Sequence, residues 1–200
     1  MPTTYAHYKF GKEVLSALPR PLQNSIEAHR ELFDIGLHGP DILFYYNALK
    51  KDPVNEQGHT LHEQFADEFF HHAVEVIEKA KDPAAARAYI YGFICHFALD
   101  SECHPYVEKI MQVGRVSHNE IEMELDRMML TEDYHDPLRY LTAKHIQPKM
   151  EYAEVIAPFF KDVTAEQIYK ALKGMVFYHK LFLAPTSGKR KALFLGMKAV

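Results

Sequence analysis

The chain of 200 residues has no tryptophan, two cysteines and only nine glycines. Cys95 and Cys103 are too few for a disulfide scaffold, so a reduced, intracellular state is the default. No apolar run approaches the 18 or so residues of a membrane helix, and no segment is expected to span a bilayer. Hairpin signals such as Asn-Gly and Asp-Gly are missing, and period-2 alternation is nearly so, which argues against a β fold. The start, Met1-Pro2-Thr3-Thr4-Tyr5-Ala6-His7, has neither a basic opening nor an apolar stretch. It does not read as a secretory signal, and a cytoplasmic location is the expectation. A basic stripe is missing too. The formal charge is −4 at pH 7, and Lys189-Arg190-Lys191 is read as a solvated tail, which argues against a nucleic-acid partner.

What is present is an ordinary globular balance, 48% hydrophobic and 25% charged, with 13 histidines outnumbering the glycines. Helical punctuation is frequent. Leu22, Ile26, His29 and Phe33 step at helical spacing, with Gly36 and Gly39 closing that segment. Asp82-Pro83 reads as a cap and first helical position, opening a helix to about His104, where Pro105 interrupts. Ser117-x-x-Glu120 and Thr164-x-x-Gln167 are capping boxes. Ile168, Leu172, Val176, His179 and Leu183 give the last helix one buried face. The reading is a single all-α domain over 1–200, with about seven to nine helices. Loops are expected near 47–57, 131–137 and 184–191, and a flexible tail over about 185–200.

The strongest constellation is Cys95-His96-Phe97-Ala98-Leu99-Asp100-Ser101-Glu102-Cys103-His104-Pro105. His96, Asp100 and His104 lie one turn apart on one helix face, the spacing at which imidazole and carboxylate grip one metal ion. Phe93, Ile94, Phe97 and Leu99 are apolar, so the helix reads as deeply buried. A charged Asp100 there costs several kcal/mol unless it is paired or holds a metal. The bland reading is a buried His–Asp pair, weighed against three ligand types on one face. His118 and Glu122 repeat the logic after the Ser117 cap, with Asp126 a turn further on. An acid near a helix start also fits the dipole without any ion.

Other candidates are ambiguous alone. His7 opens the first helix, and Asp41 after Gly39-Pro40 fits a cap as well as a ligand. His59 and His62 are three apart on one face, but Ala66 breaks the zincin motif. His71-His72 reads as half surface, and His29, His38, His145 and His179 as structural or solvated. Glu68-x-x-His71 and Glu132-x-x-His135 match the di-iron element, but the second falls in a loop. That loop also counts against His135-Asp136 as a phosphohydrolase pair.

The order of these elements resembles the bacterial zinc-dependent phospholipase C family, an all-α fold shared with fungal single-strand nucleases. The likeness runs from about His7 to Asp126, and beyond that the chain matches only in being helical. The resemblance implies one zinc on His96 and Asp100 with His62 or His59, and a second on His104, His118 and Glu122. It implies a third on His7 with Asp100 bridging, and places Asp41 as general base or additional metal contact. The chain departs from the family in three ways. It has no N-terminal tryptophan to ligate a zinc, Asp100 to His104 spans four residues rather than six, and no lipid-binding domain is appended. The ion count is therefore two or three.

The implied chemistry is phosphodiester hydrolysis of a phospholipid head group or related small diester. Metals about 3.5–4 Å apart would clamp the attacking and leaving oxygens, and Asp41 would orient the attacking water. Zinc suits His, Asp and Glu ligands. A nuclease on the same fold is the first alternative. It calls for a basic groove and stacking aromatics, whereas the 12 Tyr and 13 Phe sit in an acidic chain. A non-catalytic protein held together by metal is the second. The oligomeric state is left open.

Overall fold

Local punctuation sets most helix ends. In the computed structural model, which describes residues 4–198, the helices in chain order are α1 (Thr4–Ala17), α2 (Arg20–Glu27) and α3 (Arg30–Gly36). A 3-10 helix (Gly39–Tyr45), α4 (Pro53–Glu63), α5 (Ala66–Lys79), α6 (Pro83–Val113) and α7 (His118–Glu132) follow. The chain continues through α8 (Met150–Ile156), a short 3-10 turn (Ala157–Phe159), α9 (Ala165–Phe182) and α10 (Ser187–Lys198). The all-α expectation holds. Among the described residues there are ten α-helices and two 3-10 helices, more than the seven to nine expected, and no strand.

The extra helices come from breaks and from caps. The segment read as one helix through Leu22 and Phe33 divides at His29, whose φ of −133° and ψ of 40° leave the helical region. Asp52-Pro53 repeats the Asp82-Pro83 signal: the Asp52 carboxylate accepts the Val54 N–H and Asn55 returns the bond to the Asp52 N–H. Helix α4 therefore begins inside the expected 47–57 loop. Both predicted capping boxes form, at Ser117 with Glu120 and at Thr164 with Gln167. Within the segment expected as a tail, α10 starts at Ser187, behind Thr186, whose hydroxyl accepts the Lys189 N–H. Residues 1–3, 199 and 200 of the expected 1–200 domain lie outside the described residues.

Pro105 does not end α6, which runs on to Val113. A proline inside a helix forfeits one backbone bond and costs about 3 kcal/mol. Val107, buried two residues later, and contact of α6 with α7 offset that loss. Helix α6 is the axis of the fold, packing on α1, α3, α5 and α7. It meets α3 at backbone distance: a Cβ on Gly36 would lie 2.1 Å from the Tyr89 carbonyl oxygen. One core gathers Ile35, Leu43, Tyr89, Phe93, Ile156 and Leu172; a second holds Leu15, Ile26, Phe33, Leu37 and Cys95. Each large side chain fully buried this way contributes about 1.5–3 kcal/mol. The expectation that α6 is deeply buried around Phe93, Ile94, Phe97 and Leu99 holds for Phe93 but not for Ile94 and Phe97. Ile94 and Phe97 are exposed, and Phe97 lines a cleft.

Candidate metal centre

Five elements bring ligand-type side chains to one place. Helix α1 supplies His7 and the first 3-10 helix supplies Asp41. His62 comes from the last turn of α4, His96, Asp100 and His104 from α6, and His118 and Glu122 from α7. Their ligand atoms form three groups: His7, His96 and Asp100; Asp41, His62 and His96; His104, His118 and Glu122. Within each group the atoms lie within 4.8 Å of one another.

Asp100 is central. Its Oδ1 is 3.3 Å from His7 Nε2, and its Oδ2 is 3.3 Å from His96 Nε2 and 3.7 Å from His62 Nε2. The His7 and His96 rings stack at 4.3 Å. His62 Nε2 also meets Asp41 Oδ1 at 3.1 Å. Its other nitrogen, Nδ1, lies 2.7 Å from the Gly58 carbonyl oxygen and must donate there. That bond fixes the tautomer, leaving the Nε2 lone pair for the centre, as a carbonyl behind a metal-ligating histidine does. His118 Nε2 pairs with Glu122 Oε1 at 2.7 Å.

Local backbone features place these groups. Both carboxylate oxygens of Asp126 accept N–H groups at the start of α1, from Ala6 at 2.8 Å and Tyr5 at 2.9 Å. This ties the turn carrying His7 to α7. Gly39 adopts φ +47°, and a Cβ there would stand 2.3 Å from His96 Cδ2, so only glycine lets the chain pass the ring and present Asp41.

The electrostatics follow from burial and pairing. Burial opposes the Asp100 charge, yet His7 and His96 outweigh it and hold this carboxyl far below its usual range. Burial and the neighbouring His96 hold the His7 imidazole below its usual value. Burial also lowers His104 and raises Glu122. For His62, burial is outweighed by the Asp41 carboxylate, and the value rises.

These residues fit a metal. Among the described residues, eleven buried side-chain nitrogen and oxygen atoms lack a hydrogen-bond partner. Nine of them belong to His7, Asp41, His62, His96, Asp100 and His104. They sit near one another without alignment to donate and accept, which is costly for buried polar groups unless a cation fills the gap. A nitrogen and oxygen donor set suits Zn²⁺.

His59 stays outside the three groups. It is exposed and stacks on Phe44 at 4.4 Å, so His62 is the one that faces Asp100. The grouping differs from the one the resemblance implies, because His96 stands in two groups and Asp41 joins His62. Of the remaining histidines, His38 and His145 are buried and share a 2.7 Å hydrogen bond, with Tyr8 stacked on His145 at 3.9 Å. His179 contacts Thr4, Tyr45 and Thr142. His71 and His72 are exposed, and His135 stacks on Tyr140.

Sequence reasoning missed the anchoring role of Asp126 and an aromatic wall beside His96. A cleft opens there, lined by Phe65, Phe69, Phe93 and Phe97 together with Asp100 and His104. Phe65 carried an overlooked signal: it occupies the N-cap position of α5, where a small polar residue belongs.

No helix among the described residues is long and apolar enough to cross a membrane. The sequence model of a family described as zinc dependent phospholipase C matches residues 6–174, which includes all the ligand candidates. The match continues past Asp126, where the recognised motifs end, through most of α9. No curated protein and no solved structure matches the chain.

Proposed function

The chain belongs to the zinc-dependent phospholipase C family, and from that premise we propose that it hydrolyses phosphodiesters, with a phospholipid head group or related small diester as substrate. The observation that carries this is the crowd of unpartnered donor atoms around Asp100. His7, His96 and Asp100, Asp41 with His62, and His104 with His118 and Glu122 would hold two or three zinc ions. Bound zinc supplies Lewis-acid activation of water and charge neutralisation at the phosphoryl oxygens.

The protein's own groups do the rest. Asp41, 3.1 Å from Nε2 of the cleft-lining His62, orients the attacking water and accepts its proton. Asp100 and the Gly58 carbonyl fix the imidazoles of His7, His96 and His62, so little reorganisation accompanies reaction. The phenylalanines on the cleft wall keep bulk water off the reacting phosphate.

Two features favour this over the alternatives. A structural zinc site is closed, whereas His62, Asp100 and His104 line an open cleft. A nuclease needs a cationic track for the backbone, and no Lys or Arg lines this cleft. The test is zinc-loaded protein given a choline-phosphate diester and single-stranded DNA in parallel. Cleavage of the diester with the DNA intact supports the proposal, and cleavage of the DNA alone reverses it. Failure on both, with zinc bound, leaves a structural metal site.

A further inference from the structure

Lys189-Arg190-Lys191 does not stand alone. From Ala165 to Leu195 the chain carries six basic residues, Lys170, Lys173, Lys180, Lys189, Arg190 and Lys191, against one acid, Glu166. The whole chain has a formal charge of −4, so the sign reverses locally. Helix α9 buries Ile168, Leu172 and Met175 in the core. At helical spacing its opposite face presents Lys170, Lys173, Phe177, Lys180 and Leu181, all exposed. Lys189 donates to the Lys180 carbonyl at 3.2 Å and Arg190 to the Ala184 carbonyl at 3.1 Å. These bonds hold the start of α10 beside the end of α9.

The same face leaves apolar side chains in water. Phe177 is 59% exposed and Leu181 40%. Leu49, in the loop after the first 3-10 helix, is 88% exposed and lines one groove with Lys50, Lys170, Lys173 and Phe177. That loop is pinned in place. Lys170 Nζ donates to Asn47 Oδ1 at 2.6 Å, and the Lys50 N–H to the Asn47 carbonyl at 2.8 Å. No Asp or Glu lines the groove, and the hydrogen-bond acceptors of Lys170, Lys189 and Arg190 are neutral. The positive charge is therefore left for a partner.

Lysines alternating with exposed Phe and Leu on one helix face suit a bilayer interface. The apolar groups enter the acyl boundary while the long cationic stems reach the head groups. A nucleic acid would stack its bases on rings, and Leu49, Leu181 and Leu195 offer none. A protein partner would meet apolar residues gathered in a charge-poor centre, whereas Lys170 and Lys173 flank Phe177 on the helix surface.

We propose that the outer face of α9, with Leu49 and the start of α10, docks on an anionic phospholipid surface. The groove shares no lining residue with the cleft beside Asp100, so the docking reads surface charge and stands apart from the hydrolytic reading.

The test is cosedimentation of the zinc-loaded full chain with phosphatidylcholine vesicles, with and without about 30% phosphatidylserine. Head-group release is followed in the same tubes, and docking is judged on partition alone. Partition is expected to be at least about tenfold stronger with phosphatidylserine, and to fall by at least about tenfold as salt rises from about 0.1 to about 0.5 M. Removing charge as Lys170→Gln with Lys173→Gln is expected to weaken it by about fivefold per lysine. Phe177→Ala with Leu181→Ala is expected to cost at least about tenfold. Both pairs keep the wild-type zinc content and thermal unfolding. Lys81→Gln with Lys109→Gln, which lowers net charge equally away from this face, keeps wild-type partition.

Equal partition onto the two kinds of vesicle overturns the proposal. So does equal weakening by the Lys81 and Lys109 pair, which would make net charge rather than this face the cause. Tighter binding of single-stranded DNA or polyglutamate than of the phosphatidylserine vesicles overturns it in favour of another polyanion.

Discussion

Asp126 receives the Ala6 N–H on one carboxylate oxygen at 2.8 Å, while its other oxygen takes the Tyr5 N–H at 2.9 Å. A buried acid on α7 thus caps α1 one residue before His7. The cap joins the two helices on either side of the candidate centre and offsets the unpaired donors at the α1 start.

Asp126→Asn removes one acceptor and turns an amide N–H toward a backbone N–H. Unfolding free energy of the metal-free protein is expected to fall by about 1–3 kcal/mol. Metal affinity, read by chelator competition, is expected to weaken by about 10–100-fold, as for other groups that orient ligands. Lost stability with unchanged affinity would show that this cap does not hold His7.

Gly39→Ala meets two penalties, a positive φ and a Cβ overlapping His96. The backbone term alone is about 1–3 kcal/mol. The His96 ring must move, so bound metal per chain is expected to drop by at least one ion, measured by elemental analysis. An unchanged metal count would mean that His96 is not a ligand.

How much of this was legible in the sequence depended on distance along the chain. Asp82-Pro83, the two capping boxes and the row His96, Asp100 and His104 are local patterns, and all lie on helices as expected. The Asp52-Pro53 start of α4 was equally local and was overlooked. His7, Asp41 and His62 are dispersed residues whose meeting depends on how α1, the 3-10 helix and α4 pack, so spacing left each ambiguous. The 3.3 Å approach of His7 to Asp100 spans 93 positions. Pro105 misled because its local cost was outweighed by packing on either side. Asp126 looked like one more acid in a row, since its partners are backbone groups of a distant helix.

His96→Ala and His145→Ala separate ligand from structural histidine. The first is expected to lose bound metal and at least about 99% of diesterase rate, consistent with metal contributing several kcal/mol to the barrier. The second removes the His38 bond and the Tyr8 stack, so it costs about 2–3 kcal/mol of stability. Its metal count is expected to stay at the wild-type value, and a loss there would draw His145 into the centre.

Burial holds the His179 imidazole down to about 4, below the roughly 6.5 of an unfolded chain. The unfolded state takes up the proton first, so the stability from this group is complete above about pH 6.5 and is lost as pH falls toward 4. With part of the ring near solvent, about 2 kcal/mol is the expected size. Urea unfolding of the metal-free protein at pH 7.5 and 4.5 measures it against His179→Gln. The wild type is expected to lose about 2 kcal/mol more than the variant. Equal losses would show that His179 is not held neutral.

The central claim is that the nine unpartnered buried atoms of His7, Asp41, His62, His96, Asp100 and His104 exist to bind metal. Elemental analysis of the full chain, purified without chelator and dialysed, tests it most directly. The account predicts two or three zinc ions per chain, falling below one in Asp100→Asn. Fewer than two tightly bound divalent ions in the wild-type protein would contradict it.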